Sequence, residues 1–235
     1  MRNWLKRYLG KRVELNDQQA LSLAAWHKLS AVATSQSCKA SRYVVVDVET
    51  SGLNLWEDRL LSIGAIAVVN GKISLGESFY VELQQPVVSN KENILLHGIS
   101  GGAQTSGVPA ADALLAFLDF LQKAPLIAFH VTFDQTMIQR AISQALGTSF
   151  KHVWLDLAYL MPALNPELAS KYRSLDDWVT HFKIRNDARH NALADAMVTA
   201  QLFQVGCAQA GKKNIKNFAG LLDLEKAQRW VNSVS

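Results

Sequence analysis

The sequence predicts an α/β fold in which a mixed sheet is flanked by helices. Three observations lead there. Tyr43-Val-Val-Val46 is a β-branched run typical of a buried strand, and two further strand-like runs follow at 60–69 and 72–83. Asn70-Gly71 joins those two runs. This pair favours a tight two-residue hairpin turn, because both positions need positive φ, so the runs are expected to be antiparallel. Beyond them the period changes, and short apolar runs alternate with helical patterns. Three early strands followed by strands separated by helices suggest a mixed sheet with helices on both faces.

The elements follow in order. Residues 111–121 place Leu114, Leu115, Phe117, Leu118 and Leu121 at helical spacing. Residues 126–129 form a short buried strand. Residues 135–146 are a second helix, with Met137, Ile138, Ala141, Ile142 and Ala145 on one face. Residues 153–155 are a last short strand, and helical patterns follow at 156–161, 174–181 and 191–209. Ahead of the first strand, residues 1–40 read as a helical extension ending in a small, polar connection. The expected division is therefore 1–40, a main domain at 41–208, and a basic helical tail at 209–235.

Composition limits the function classes. The chain has 235 residues, of which 49% are hydrophobic, enough for a real core. Its net charge of +4 favours polyanionic partners without establishing one. No apolar run reaches the roughly 18 residues of a membrane helix. The basic first residues lack the apolar stretch of a secretory signal. Cys38 and Cys207 match no zinc or redox spacing and read as reduced thiols of a cytoplasmic protein.

The chemistry is carried by acids. Asp47 and Glu49 close the first strand, and residues two apart on a strand point the same way. Two carboxylates side by side near a core repel each other and are costly to bury. A divalent cation resolves both problems, and magnesium accepts carboxylates together with substrate phosphate. The alternative is that the strand has ended and both groups are solvated. Asp134 starts the next helix, where an acid also serves simply to favour a helix N-terminus. Asp195 lies on a small-residue face with Ala196 and Ala200, where a buried carboxylate needs a partner. His190 stands five residues earlier, and a lone histidine is more often structural or solvated than catalytic.

Three separated motifs then occur in order: Asp47-Val-Glu49-Thr-Ser-Gly52-Leu53, Phe133-Asp134 and His190-Asn-Ala-Leu-Ala-Asp195-Ala. Together they resemble the DEDD superfamily of 3′–5′ exonucleases. The match is to the histidine-containing branch that includes proofreading epsilon subunits of bacterial DNA polymerase III. The resemblance covers about 43–205 and implies a ribonuclease-H-like fold with a five-stranded mixed sheet. It implies that Asp47, Glu49, Asp134 and Asp195 bind two Mg2+ or Mn2+ ions and that His190 is the general base. Thr50, Ser51, Gly52 and Leu53 match a segment that cradles the terminal nucleotide. His97, in His97-Gly-Ile99, matches a segment near the 3′ nucleotide, with a helix-end structural role as the alternative. Phe133 is either core or a base-stacking group. Asp156 reads as a supporting or helix-capping acid. One departure is Phe129-His130-Val131, where relatives usually carry a His-Asn-like pair; His130 therefore reads as structural.

The implied activity is removal of nucleoside 5′-monophosphates from the 3′ end of single-stranded DNA, in proofreading or repair. An exoribonuclease is the alternative, and a non-catalytic end-binding or polymerase-adaptor module is the reading from another class. Nucleic-acid 3′ ends are the expected partner, with a DNA polymerase subunit as a further candidate. At the start of the chain, Arg2, Lys6, Arg7, Lys11 and Arg12 interleave with Trp4, Leu5, Tyr8 and Leu9. They read as a helix docked on its own domain, or one binding a partner, nucleic acid or a membrane surface. In the tail, Lys212, Lys213 and Lys216 precede Leu221, Leu222, Leu224 and Trp230. This segment either extends a nucleic-acid path or caps the fold.

Overall fold

The computed structural model describes residues 13–186 and 189–234. Its elements run α1 (Asp17–Lys28), β1 (Arg42–Thr50), β2 (Leu60–Val69), β3 (Lys72–Glu82), α2 (Lys91–His97), α3 (Gly101–Ser106), α4 (Ala110–Leu121), β4 (Leu126–Ala128), α5 (Val131–Leu146), β5 (Trp154–Asp156), α6 (Leu157–Leu164), α7 (Leu175–His181), α8 (Ala192–Lys212) and α9 (Phe218–Val234). The five strands form one sheet in the order β3-β2-β1-β4-β5. β1, β2 and β3 pair antiparallel, whereas β4 and β5 run parallel to β1. The expected mixed sheet is what forms. Asn70 and Gly71 take φ of 53° and 75°, as a tight turn from Val69 to Lys72 requires.

Alternation along β1 divides the core in two. Val44, Val46 and Val48 pack on one face with residues of α4 and α5 and with Trp26 of α1. Tyr43 and Val45 pack on the other with residues of α6, α7, α8 and α9. β4 and β5 are only three residues long, and β4, buried throughout, reads as an apolar run rather than an alternating one.

Gly64 decides how α8 meets the sheet. It pairs across from Asp47, and a Cβ at this position would overlap the backbone of Ala192 and Leu193. Only a residue without a side chain lets the start of α8 rest directly on β2. Immediately after Glu49 the β1–β2 register shifts, and the chain leaves the sheet.

Several boundaries differ from the sequence expectation. β1 continues one residue past Glu49, through Thr50, so the two acids lie in its last four residues, as expected. α5 begins at Val131, four residues earlier than the apolar pattern implies, because Asp156 accepts hydrogen bonds from the N–H groups of His130 (2.9 Å) and Val131 (3.1 Å). α2 and α3 were not predicted. They are short and are started by the side chains of Asn90 and Ser100 rather than by an apolar face. α8 runs on to Lys212, so a division after 208 falls inside a helix.

At the N-terminal side, α1 opens with a capping box between Asn16 and Gln19. It docks through Trp26, which stacks on Phe150 and donates from Nε1 to the carbonyl of Gln122 at 2.7 Å. The basic segment from Arg2 to Arg12 lies outside the described residues. At the other end, Phe218 and Leu221 of α9 are buried, and Tyr43 packs between Phe203 and Phe218. This part of the tail caps the fold. No helix among the described residues is long and apolar enough to cross a membrane.

A Gly64→Ala protein is expected to lose about 3 kcal/mol of stability, the upper end for overpacking, because the atoms in the way are backbone. Urea unfolding should show a lower midpoint with an unchanged slope. An unchanged midpoint would show that α8 has room to move off the sheet.

Candidate active site

Three carboxylates converge where β1 meets the start of α8. Oxygen atoms of Asp47, Glu49 and Asp195 all lie within 4.8 Å of one another. Strand alternation turns Asp47 and Glu49 to one face, and the contact at Gly64 brings the first turn of α8, with Asp195, onto that same face. Asp134 belongs to the first turn of α5 and is buried. It stands outside that close group but is near enough to repel Asp47.

Crowding of like charge sets the electrostatics. Burial pushes the Asp47 carboxyl well above the usual range; repulsion from Asp134, Asp195 and Glu49 adds to this, and the Arg189 guanidinium opposes it. Asp134 is also raised well above the usual range, first by burial and then by Asp156 and Glu49. Burial, then Asp195, pushes Glu49 up to about 7. A site that raises several carboxylates together is starved of positive charge. The donors are all oxygens, which suits a hard divalent cation of the magnesium type. The residues present therefore fit such an ion.

Asp195 is held in place by its surroundings. Its Oδ1 accepts from Asn186 Nδ2 at 2.8 Å, and its Oδ2 accepts from Arg189 Nη1 at 2.9 Å and from the His190 N–H at 3.0 Å. Arg189 also meets Asp176, at 2.8 Å from Nε and 3.0 Å from Nη2. His190 takes a left-handed φ of 61°, and its side chain is exposed. Arg189, Asn186 and Asp176 escaped the sequence reading. The only signal was a basic residue directly before His190, and its partner acids are identified only by folding.

The loop after β1 is rigid. The Ser51 hydroxyl donates to Asp58 Oδ1 at 2.8 Å, and the Asn54 N–H donates to Asp58 Oδ2 at 2.8 Å. The Thr50 hydroxyl donates to the Gly52 carbonyl at 2.7 Å. Asn93 donates to the Ser51 carbonyl and Arg140 to the Leu55 carbonyl. A Cβ on Gly52 would overlap the Asp58 carboxylate, so the loop requires glycine there. This braced loop leaves Leu53 86% and Trp56 80% exposed. Large apolar groups held out into solvent on a fixed loop suit ligand contact. Trp56 was also missed, although a tryptophan within a polar loop was a readable signal.

Two of the predicted contact residues are buried or half-buried. His97 is 5% exposed. Its Nδ1 accepts from the Ile99 N–H at 3.0 Å, and its Nε2 lies 3.5 Å from the Ser89 hydroxyl. The two nitrogens meet groups on either side of α2, which is the geometry of the helix-end structural alternative. Phe133 is half-buried against the first core. Asp156 is a capping acid, as expected, and accepts from the Ala158 N–H at 2.9 Å.

Comparison with known proteins agrees with this geometry. The exonuclease family RNase_T matches residues 44–203. The epsilon subunit of DNA polymerase III from Salmonella typhimurium is 28% identical over 197 residues, covering 78% of this chain and 77% of that protein. The PolC-type DNA polymerase III of Caldanaerobacter subterraneus subsp. tengcongensis is 30% identical over 169 residues. That match covers 72% of this chain but only 12% of the far longer polymerase. Among solved structures, the zinc-bound complex of E. coli exonuclease I with single-stranded DNA superposes with a TM-score of 0.63. Its identity is 19%, over 73% of this chain and 41% of that one, which establishes a shared fold.

The raised Glu49 carboxyl predicts a pH dependence. Between its ordinary value of 4.5 and about 7, the folded protein holds a proton that the unfolded chain has released. Stability from this group is therefore full at low pH and is lost as pH rises through about 7. In chelator, the thermal midpoint of a Glu49→Gln protein should fall less between pH 5 and pH 8 than that of the parent. Magnesium should stabilise the parent more at pH 8. Parallel midpoint curves for the two proteins would show that Glu49 does not titrate in this window.

Proposed function

We propose that this chain, a member of the RNase_T exonuclease family, is of the DEDD class and removes nucleotides one at a time from the 3′ end of DNA. It prefers single strands and releases nucleoside 5′-monophosphates. The observation that carries this reading is the convergence of Asp47, Glu49 and Asp195 within 4.8 Å, with Asp134 of α5 near enough to repel Asp47. Those four carboxylates would hold two Mg2+ or Mn2+ ions. When bound, such ions supply Lewis acidity and counter-charge at the scissile phosphate.

The remaining work falls to this chain's own groups. His190 stands exposed at the entrance of α8 and accepts a proton from the attacking water. Its backbone N–H is tied to Asp195, which fixes the turn beside the acids. Asn186 and Arg189 orient Asp195. Thr50, Ser51 and Gly52 form the braced loop that presents Leu53 and Trp56 to the bases of the terminal nucleotides. Stacking of this kind tolerates any base and favours unpaired strands. Likeness to the polymerase III epsilon subunit and PolC supports a replicative DNA polymerase as a partner.

Two single-stranded substrates of the same sequence, one DNA and one RNA, each labelled at either end, test the activity. Stepwise shortening from the 3′ end in magnesium or manganese, faster on DNA and abolished by chelator, is the expected result. Faster turnover of RNA would make the protein an exoribonuclease. Absence of shortening under every condition would favour an end-binding module.

Two variants test the roles. Asp47→Ala should abolish turnover while leaving the circular dichroism spectrum unchanged, because it removes a ligand and relieves repulsion. His190→Ala should slow turnover by about 10²–10⁴-fold, the usual contribution of a general base. Parent-like rates in either protein would remove that residue from the site.

A further inference from the structure

Asp156 ends β5 and is 1% exposed. Its carboxylate accepts four hydrogen bonds drawn from three helices. His130 and Val131 donate from the entrance of α5, at 2.9 and 3.1 Å, and Ala158 donates from α6 at 2.9 Å. The fourth donor is Arg229 Nη2 of α9, at 2.9 Å. Three neutral N–H groups solvate this buried anion, and Arg229 supplies the opposite charge that burial calls for.

Arg229 is not a loosely placed surface arginine. Its Nε meets Glu225, itself buried, at 2.6 Å, and its guanidinium lies over the Tyr159 ring at 4.1 Å. Two bonds and a stacking surface fix its plane, as suits a forked donor group.

On the other side of Asp156 stands the entrance of α5. His130 takes a left-handed φ of 66° there and makes no side-chain cap for its own helix. Asp156 supplies that cap from 26 residues away in sequence. Asp134 lies in the same first turn and stands near enough to β1 to repel Asp47. Any shift of this turn shifts Asp134 against Asp47.

We propose that Arg229 is a positioning residue of the active site: through Asp156 it locks the entrance of α5 and thereby sets where Asp134 stands. The proposal rests on reading Asp134 as a metal ligand. It makes the C-terminal helix part of the catalytic architecture rather than an appendage of it.

The test uses the full chain and Mn2+ alone as the probe, titrated by calorimetry, with turnover measured in parallel. Arg229→Met is expected to weaken Mn2+ binding about 10–100-fold, the range for groups that hold a ligand in place. It should also lower kcat while leaving KM within about twofold, because the strand-binding loop is untouched. Arg229→Lys should recover part of both. Should Arg229→Met fail to fold, Arg229→Gln, which keeps one donor and drops the charge, carries the same readouts. A folded variant with the parent's Mn2+ affinity and kcat overturns the proposal and leaves α9 a mere cap.

Asp134→Ala separates this outcome from failure of the metal reading. If Asp134→Ala binds Mn2+ like the parent, the reading of Asp134 as a ligand fails, and this route with it. If Asp134→Ala weakens binding, adding Arg229→Met should weaken it no further, since both act on one ligand. A further loss of the same size would place the action of Arg229 elsewhere and overturn the proposal.

Discussion

At Gly64 the backbones of β2 and α8 approach so closely that a methyl group would overlap Ala192 and Leu193. The acidic site depends on that contact. Gly64 pairs with Asp47, so the point where α8 touches the sheet is also the point where the strand acids rise from it. With the helix seated there, its first turn carries Asp195 to within 4.8 Å of Asp47 and Glu49. A larger residue at 64 would lift the helix and open the cluster. The two cores act as the clamp: Val44, Val46 and Val48 are packed from one side, and Tyr43 and Val45 from the other, so β1 has no freedom to recede.

Repulsion works against this arrangement. Burial and mutual proximity raise Asp47, Glu49 and Asp134 together. Arg189 offsets part of the charge and is itself shared with Asp176. Such a cluster is less stable than the rest of the fold until a cation joins it, and that is what suits it to bind one. Stability given up at the site is recovered in the apolar layers around it.

The supports around the acids come from distant parts of the chain. Asn93 braces the loop after β1 from α2, Arg140 braces it from α5, and Asp156 starts α5 from the end of β5. Each brace is a side chain meeting a backbone group far away in sequence. The result is a floor of acids within a rigid frame, beside a loop that holds Leu53 and Trp56 in solvent.

The sequence by itself determined the sheet, its hairpin and the principal acids. Strand alternation and the Asn70-Gly71 turn are local rules, and the motifs around Asp47, Asp134 and Asp195 are short, so each could be read within a few residues. Tertiary structure alone decided the rest. The start of α5 was misplaced because its cap, Asp156, is remote. The burial of His97 depends on Ser89 and Ile99, which meet its two ring nitrogens. Arg189, Asn186 and Arg229 carried no local pattern that named their partners, since a salt bridge or a brace is defined by its partner and not by its neighbours in the chain. Periodicity reports which face of an element is apolar. Which charged groups meet across the finished fold is fixed only when backbones as distant as those at Gly64 and Ala192 come into contact.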